Sequence, residues 1–292
     1  TSSTTKNVWV NIRPDSVITG PDTVCELSSA LYSASPGTSH SWSITNGTIA
    51  SGSGNDSVRV NWPRKNTSHN LAVTITNQYG CISTSNKTVL VNSRPDSFIT
   101  GLDTVCELTT TGYKTAPGNS FSWSALNGTV LSGTGTDSIT VRWPAKDTAH
   151  RLSVIVTNSA GCSSSVNKDI SINARPDSVI FGPDTLCELS SASYMASAGT
   201  AHNWSIVNGS IKSGSGTDSI LTNWPQKNTT HDLAVIITNQ YGCTSNASKN
   251  IVINSRPDSV INGPDTICEL STANYIASLG TAHSWSISNG SI

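Results

Sequence analysis

Residues 40–62 read HSWSITNGTIASGSGNDSVRVNW, and their alternation decides the fold class. His40, Trp42 and Ile44 take every second place with Ser41, Ser43 and Thr45 between them, the period-two pattern of a strand with one buried face. Asn46-Gly47 is a pair that tolerates positive φ at both central positions of a two-residue turn, so SWSITNGTIAS is read as a tight hairpin. The same pair recurs at Asn127-Gly128, Asn208-Gly209 and Asn289-Gly290. After the glycine-rich turn SGSGND, Val58, Val60 and Trp62 point one way and Arg59 and Asn61 the other, until Pro63 ends the ladder. Trp42 and Trp62, with their counterparts Trp123, Trp143, Trp204 and Trp224, are predicted to lie in the core.

Moving outward, Leu71, Val73 and Ile75 alternate with Ala72, Thr74 and Thr76 before the turn NQYGC. KTVLVN then forms a last strand that runs straight into RPDS. With SVITG and TVCEL ahead of them these segments make about seven short strands, and no window shows helical periodicity. The fold class is all-β, a tandem series of immunoglobulin-like antiparallel sandwiches.

The series is set by the repeat. RPDS begins at Arg13, Arg94, Arg175 and Arg256, a constant step of 81 residues. This divides the chain into 1–12, aligned with the last strand of a preceding copy, three full copies at 13–93, 94–174 and 175–255, and the N-terminal part of a fourth at 256–292. The copy at 94–174 is the most divergent. The segment is expected to have been cut from a longer array, with a Cys in the place before Thr1.

Lys plus Arg number 17 against 18 for Asp plus Glu, a net charge of -1, so the basic surplus of a nucleic-acid or anionic-membrane binder is missing. Charged residues make up 12% and hydrophobic ones 35%, with Ser, Thr and Asn abundant, the composition of an extracellular β-protein. No apolar run reaches the roughly 18 residues of a membrane helix, and TSSTTKNVWVNI lacks the regions of a signal peptide. Neither nucleic acid nor membrane insertion is expected.

The cysteines repeat as well. Cys25 and Cys81, Cys106 and Cys162, and Cys187 and Cys243 are each 56 residues apart, and Cys268 would find its counterpart beyond residue 292. With no CxxC spacing, disulfides formed in an oxidising compartment are favoured over zinc or redox motifs. Two connectivities are open. Pairing inside one copy lets each copy fold alone and is worth about 4 kcal/mol in the chain-entropy picture, whereas Cys81 to Cys106 would staple neighbouring copies.

The order Cys25, Trp42, Cys81 partly resembles immunoglobulin domains, although the second Cys opens the last strand, and Tyr79 lies in a turn where the second copy has Ala160. A closer resemblance is to the PKD-like repeats of giant surface proteins of Bacteroidota. It rests on GPDTVC from Gly20, SWSI from Ser41, SGSGNDS from Ser51 and VTITNQYGC from Val73, and it covers the whole chain. The resemblance implies a stalk or adhesive repeat exported by the type IX secretion system, as in gliding adhesins and surface filaments.

Residues able to do chemistry are sparse. Glutamate occurs at Glu26, Glu107, Glu188 and Glu269, once per copy beside the same Cys, so a glycosidase acid pair is missing and a solvated strand face is expected. His69, His150 and His231 share one loop position. His40, His202 and His283 share a strand position that Phe121 takes in the second copy, which points to packing rather than metal ligation. There is no GxSxG elbow. No enzyme and no cofactor are expected. Calcium is a weak option at Asp15 and Asp22 and their equivalents, since two carboxylates make a thin shell.

Asp followed by Ser or Thr and an aliphatic residue resembles the O-glycosylation sequon of Bacteroidota. It places candidate sites at Ser16, Thr23, Ser57, Thr104, Ser138, Ser178, Thr185, Ser219, Ser259 and Thr266; Ser97 departs from it, because Phe98 follows. A turn entering a strand explains the same pairs. Asn-x-Ser/Thr at Asn46 and Asn66 is read as turn chemistry. The expected function is the stalk or filament segment of a secreted bacterial cell-surface adhesin. Its partners would be neighbouring repeats of the chain, lateral copies in a fibre, and a surface or glycan ligand at a distal tip. The alternative is a carbohydrate-binding or spacer module of a secreted enzyme, for which Trp42 or Trp62 would have to be exposed.

Overall fold

A computed structural model describes all 292 residues other than 66–68, 145–148, 226, 228 and 229. The chain divides into two compact units, Thr1–Ile172 and Asn173–Ile292. Among the described residues the first holds two sandwich cores and the second holds one. No helix occurs among the described residues.

The first sandwich runs β1 (Ile18–Thr19), β2 (Thr23–Cys25), β3 (Ser29–Ala34), β4 (Ser39–Thr45), β5 (Thr48–Ser51), β6 (Ser57–Asn61), β7 (Asn70–Thr76), β8 (Ile82–Thr88) and β9 (Leu90–Asn92). One sheet has the order β1-β3-β6-β5 and the other β4-β7-β8. Strand β2 lies parallel to β9, with Cys25 opposite Asn92. In the second copy the equivalents of β8 and β9 are one strand, Ser163–Asn173, and the second sheet becomes four-stranded.

The period-two pattern puts one side of each sheet inward. Tyr32, Val58 and Val60 from the first sheet meet Trp42, Leu71, Val73, Ile75 and Val91 from the second. Each such side chain contributes roughly 1.5–3 kcal/mol on burial, and seven of these eight are no more than 1% exposed. At one end Trp62 stands edge-on between Tyr32, with ring centroids 6.0 Å apart, and His69, at 5.6 Å. The same trio recurs as Tyr113, Trp143, His150 and as Tyr194, Trp224, His231.

Asn46-Gly47 does not close a hairpin. Strand β4 pairs with β7, β5 pairs with β6, and the chain passes from one sheet to the other at this corner. Only Asn46 of the pair has positive φ, 57°, so the mirror-image turn that keeps two strands side by side does not form. Ile44 and Ile49 on either side both pack against the core between the sheets. His69, read from the sequence as a loop residue, fixes the corner: it is buried, and its Nδ1–H donates to the Asn46 carbonyl at 3.1 Å.

The SGSGND turn is tied to the opposite sheet. The Trp42 indole N–H donates to the carbonyl of Asn55 at 2.9 Å, and Trp123 and Trp204 do the same to Thr136 and Thr217. Gly52 is required there, because at φ 85° a Cβ would lie 2.2 Å from the Ser57 carbonyl oxygen. Residues 256–292 supply counterparts of the first four strands alone. They form one short pairing, Ile261–Asn262 with Ile276–Ala277, and stay largely exposed.

Candidate functional site

The described residues that reach from one copy to the next gather where β9 leaves the first sandwich. Cys25 ends β2, and the chain continues past Asn92 into Arg94, Pro95 and the second copy. Glu26, next to Cys25, is half-buried and bound on both oxygens. Oε1 accepts the Arg94 backbone N–H at 2.8 Å and Oε2 the Lys65 N–H at 3.1 Å. Arg94 Nε–H in turn donates to the Glu26 carbonyl at 3.0 Å. These donors hold the Glu26 carboxyl below the usual glutamate range, the Arg94 N–H contributing most. Glu188 repeats the arrangement with Arg256 and Lys227. The solvated strand face expected for these glutamates is therefore corrected: at Glu26 and Glu188 the carboxylate clasps the exit of its own sandwich.

From the far side comes a turn of the second copy. Asn158 Oδ1 accepts the N–H groups of Ala160 and Cys162, at 3.1 and 3.0 Å, which shapes the turn. Its Nδ2 donates to the Ser93 carbonyl at 2.8 Å, which grips the end of the first copy. Asn77 holds the Ile12 carbonyl and Asn239 the Ala174 carbonyl in the same way. Composition and turn statistics explain an Asn in such a turn but not the second grip. The signal that would have found it is TN-x-x-GC at a fixed place in all three copies.

The turn delivers Cys162 to the first sandwich, where it forms a disulfide with Cys25, Cα to Cα 5.5 Å. Cys162 is fully buried and its Sγ lies 3.9 Å from the Asn92 carbonyl oxygen, beside the residue that Cys25 faces in the ladder. Both sequence connectivities are thereby corrected. Cys25 does not pair with Cys81, nor Cys81 with Cys106, and Cys81, Cys187 and Cys268 carry free thiols. The reason is geometric. Cys81 stands at the start of β8 and Cys25 beside the end of β9, so eleven extended residues, roughly 35 Å, separate them within one sandwich. A disulfide needs Cα atoms within about 7 Å.

The other singled-out residues fall as follows. Trp42, Trp62, Trp123, Trp143, Trp204 and Trp224 are all buried. His40 and His202 are buried on their strands with Nε2 at 2.9 and 3.0 Å from the Ser35 and Ser197 carbonyls, and Phe121 packs against the second core. Asp22 is ion-paired with Lys87, Asp103 with Lys168 and Asp184 with Lys249, each lysine largely buried and its carboxylate exposed. Asp15 is exposed. Among the described residues no three of His, Cys, Asp and Glu converge. Of the hydroxyls in the Asp-Ser/Thr sequences, Thr23, Thr104, Ser138, Ser178, Thr185, Ser219, Ser259 and Thr266 are exposed and Ser16 and Ser57 half-buried. Asn46 sits at the sheet corner and Asn66 lies outside the described residues.

Sandwiches in series, with an exit clasp and a disulfide across a joint, define a tandem β-sandwich array of extracellular type. The chain belongs to the PKD-like domain family, whose profile matches residues 12–91 and 93–172. No curated protein matches it. Among solved structures it is similar to protocadherin gamma B2 extracellular cadherin domains 3–6, with 10% identity, 91% of this chain and 84% of that one covered, and TM-score 0.26. Fibronectin(III)-like modules of CbhA from Clostridium thermocellum give 13%, 54%, 95% and 0.31. A Bacteroides ovatus SGBP-B, solved with a mixed-linkage heptasaccharide, gives 12%, 87%, 72% and 0.21. At these scores the likenesses carry no functional argument.

Proposed function

We propose that this chain is a structural stalk or filament segment of a large secreted adhesin at a bacterial cell surface, exported by the type IX route. The observation that carries this reading is the Cys25–Cys162 bond, which joins successive sandwiches covalently where a load along the chain would otherwise pass through one connector. The Glu26 clasp and the Asn158 grip reinforce the same point. No catalytic role is part of the proposal. The exposed hydroxyls leave room for O-glycans, and near-identical copies at a constant period would allow lateral contacts in register between parallel chains.

Single-molecule stretching of oxidised residues 1–292 tests the load-bearing role. With the bond closed, residues 26–161 cannot extend, and reductant should release roughly 450 Å of additional chain. Equal contour lengths with and without reductant would remove the support for a stalk. Micromolar binding of a soluble polysaccharide by the same chain would favour the carbohydrate-binding alternative. Mass photometry that finds monomers at every concentration and salt level would remove the fibre and leave a solitary stalk.

A further inference from the structure

Within the unit Asn173–Ile292, the outer face of the four-stranded sheet differs from its counterparts in the other copies. Its strands lie in the order Ile180–Phe181, Ser191–Ala196, Ser219–Asn223 and Ser210–Ser213. Ile180, Tyr194, Ala196, Ile220 and Thr222 are buried in the core, so the residues that alternate with them point to solvent. Phe181 stands directly opposite Met195, and Met195 opposite Ser219. Leu221 is the next outward residue after Ser219, diagonal to Met195, and Val179 is the outward residue before Phe181. Phe181, Met195 and Val179 are 53%, 50% and 46% exposed, and Leu221 is half-buried. Single apolar side chains on a surface need no explanation, but here four lie side by side.

The other two full copies do not carry this group. In the places of Phe181, Met195 and Leu221 the first copy has Thr19, Ser33 and Arg59, and the second has Thr100, Lys114 and Thr140. Each of those faces therefore bears a cation, Lys114 being paired with Asp137 at 3.6 Å. An outward cation is a common means of keeping a sheet from pairing with its like. In the third copy the hydroxyls of Ser193, Ser213 and Ser219 flank the apolar group instead. Charge enters at the border, in exposed Lys212 next to Ser213 and exposed Asp218 next to Ser219.

We propose that this face is a docking surface for a second copy of the same chain, joined through a two-fold contact between their third sandwiches. The surface is self-complementary. Phe181 of one chain meets Met195 of the other, a sulfur–aromatic contact that the two-fold makes twice. Lys212 of one chain is set against Asp218 of the other, so the border attracts rather than repels. The apolar group also selects which sandwich meets which, because the same face of the first or second copy would bring Arg59 or Lys114 against it. The proposal names the surface for the lateral contacts described above and rests on that part of the reading alone.

Sedimentation velocity of the 292-residue chain, with its free thiols alkylated, is expected to show a monomer–dimer equilibrium at concentrations up to about 1 mM. Met195→Lys with Leu221→Arg installs the cations of the other copies and should hold the chain monomeric over the same range, with unchanged circular dichroism. Should that pair prevent folding, Phe181→Thr, the residue of both other copies, takes its place with the same expected result. Asp218→Lys should weaken the dimer about tenfold or more, and Lys212→Asp added to it should restore the dimer, as a two-fold contact requires. Monomers at every concentration, or association that these substitutions leave untouched, would overturn the proposal. Either result leaves the stretching test of the Cys25–Cys162 bond as it stands, so failure of this contact is distinguishable from failure of the stalk.

Discussion

Glu26 Oε1 accepts the backbone N–H of Arg94 at 2.8 Å, across 68 residues of sequence, and so closes the first sandwich on the connector that leaves it. The carboxylate form is the one that accepts, which gives the joint a pH dependence. The folded pKa is lowered, so the clasp contributes fully above the ordinary glutamate value of 4.5 and is lost as pH falls through the depressed folded value. The Arg94 amide resonance is expected to titrate with a midpoint below 4.5, and Glu26→Gln should abolish that titration. A midpoint at or above 4.5 would show that the clasp is not formed in solution.

The covalent link couples two cores. A loop closed by residues 137 apart is worth about 5 kcal/mol in the chain-entropy picture. Cys25→Ser with Cys162→Ser should lower the calorimetric melting temperature of both the first and second sandwiches. Destabilisation confined to one of them would argue that the bond acts locally.

Asn158 makes three hydrogen bonds that an alanine cannot replace. Asn158→Ala is expected to cost about 1–3 kcal/mol in urea unfolding and to slow formation of the Cys25–Cys162 bond on oxidative refolding. Unchanged stability and oxidation rate would reduce the second grip to a passive contact.

Burial pushes the phenols of Tyr32 and Tyr194 up to about 12. A raised phenol favours the protonated folded state, so its contribution is complete below the unfolded value near 10 and is lost as pH rises towards 12. Absorbance at 295 nm should show these two phenols ionising well above pH 10, together with alkaline loss of stability. Ionisation of Tyr32 and Tyr194 near pH 10 would contradict their buried placement.

Leu27, Leu108 and Leu189 all adopt left-handed backbone, with φ between 57° and 59°, while their side chains are exposed. A Cβ-bearing residue costs about 1–2 kcal/mol in that region, and Asn tolerates it better than Leu. Leu189→Asn should therefore raise the urea midpoint by up to about 1 kcal/mol in stability. A loss of stability would show that this leucine packs against something in solution.

The sequence by itself determined the repeat, its strands and its buried tryptophans, because a period of 81 and an alternation of two are local and need no knowledge of partners. HSWSIT and SVRVNW face inward wherever they lie, since one side of each is apolar. Tertiary structure alone decided what joins what. Asn46-Gly47 has the composition of a hairpin turn, yet the two strands it links belong to opposite sheets, a choice made by β7 and β6 competing for them. Glu26 reads as a solvated acid and Asp22 as a turn starter or a thin calcium ligand until the fold brings Arg94 and Lys87 to them from more than 60 residues away. A copy able to fold alone favoured Cys25 with Cys81, but the final strand lies between them and holds them at opposite ends of one sandwich. The nearest cysteine in space therefore belongs to the next copy.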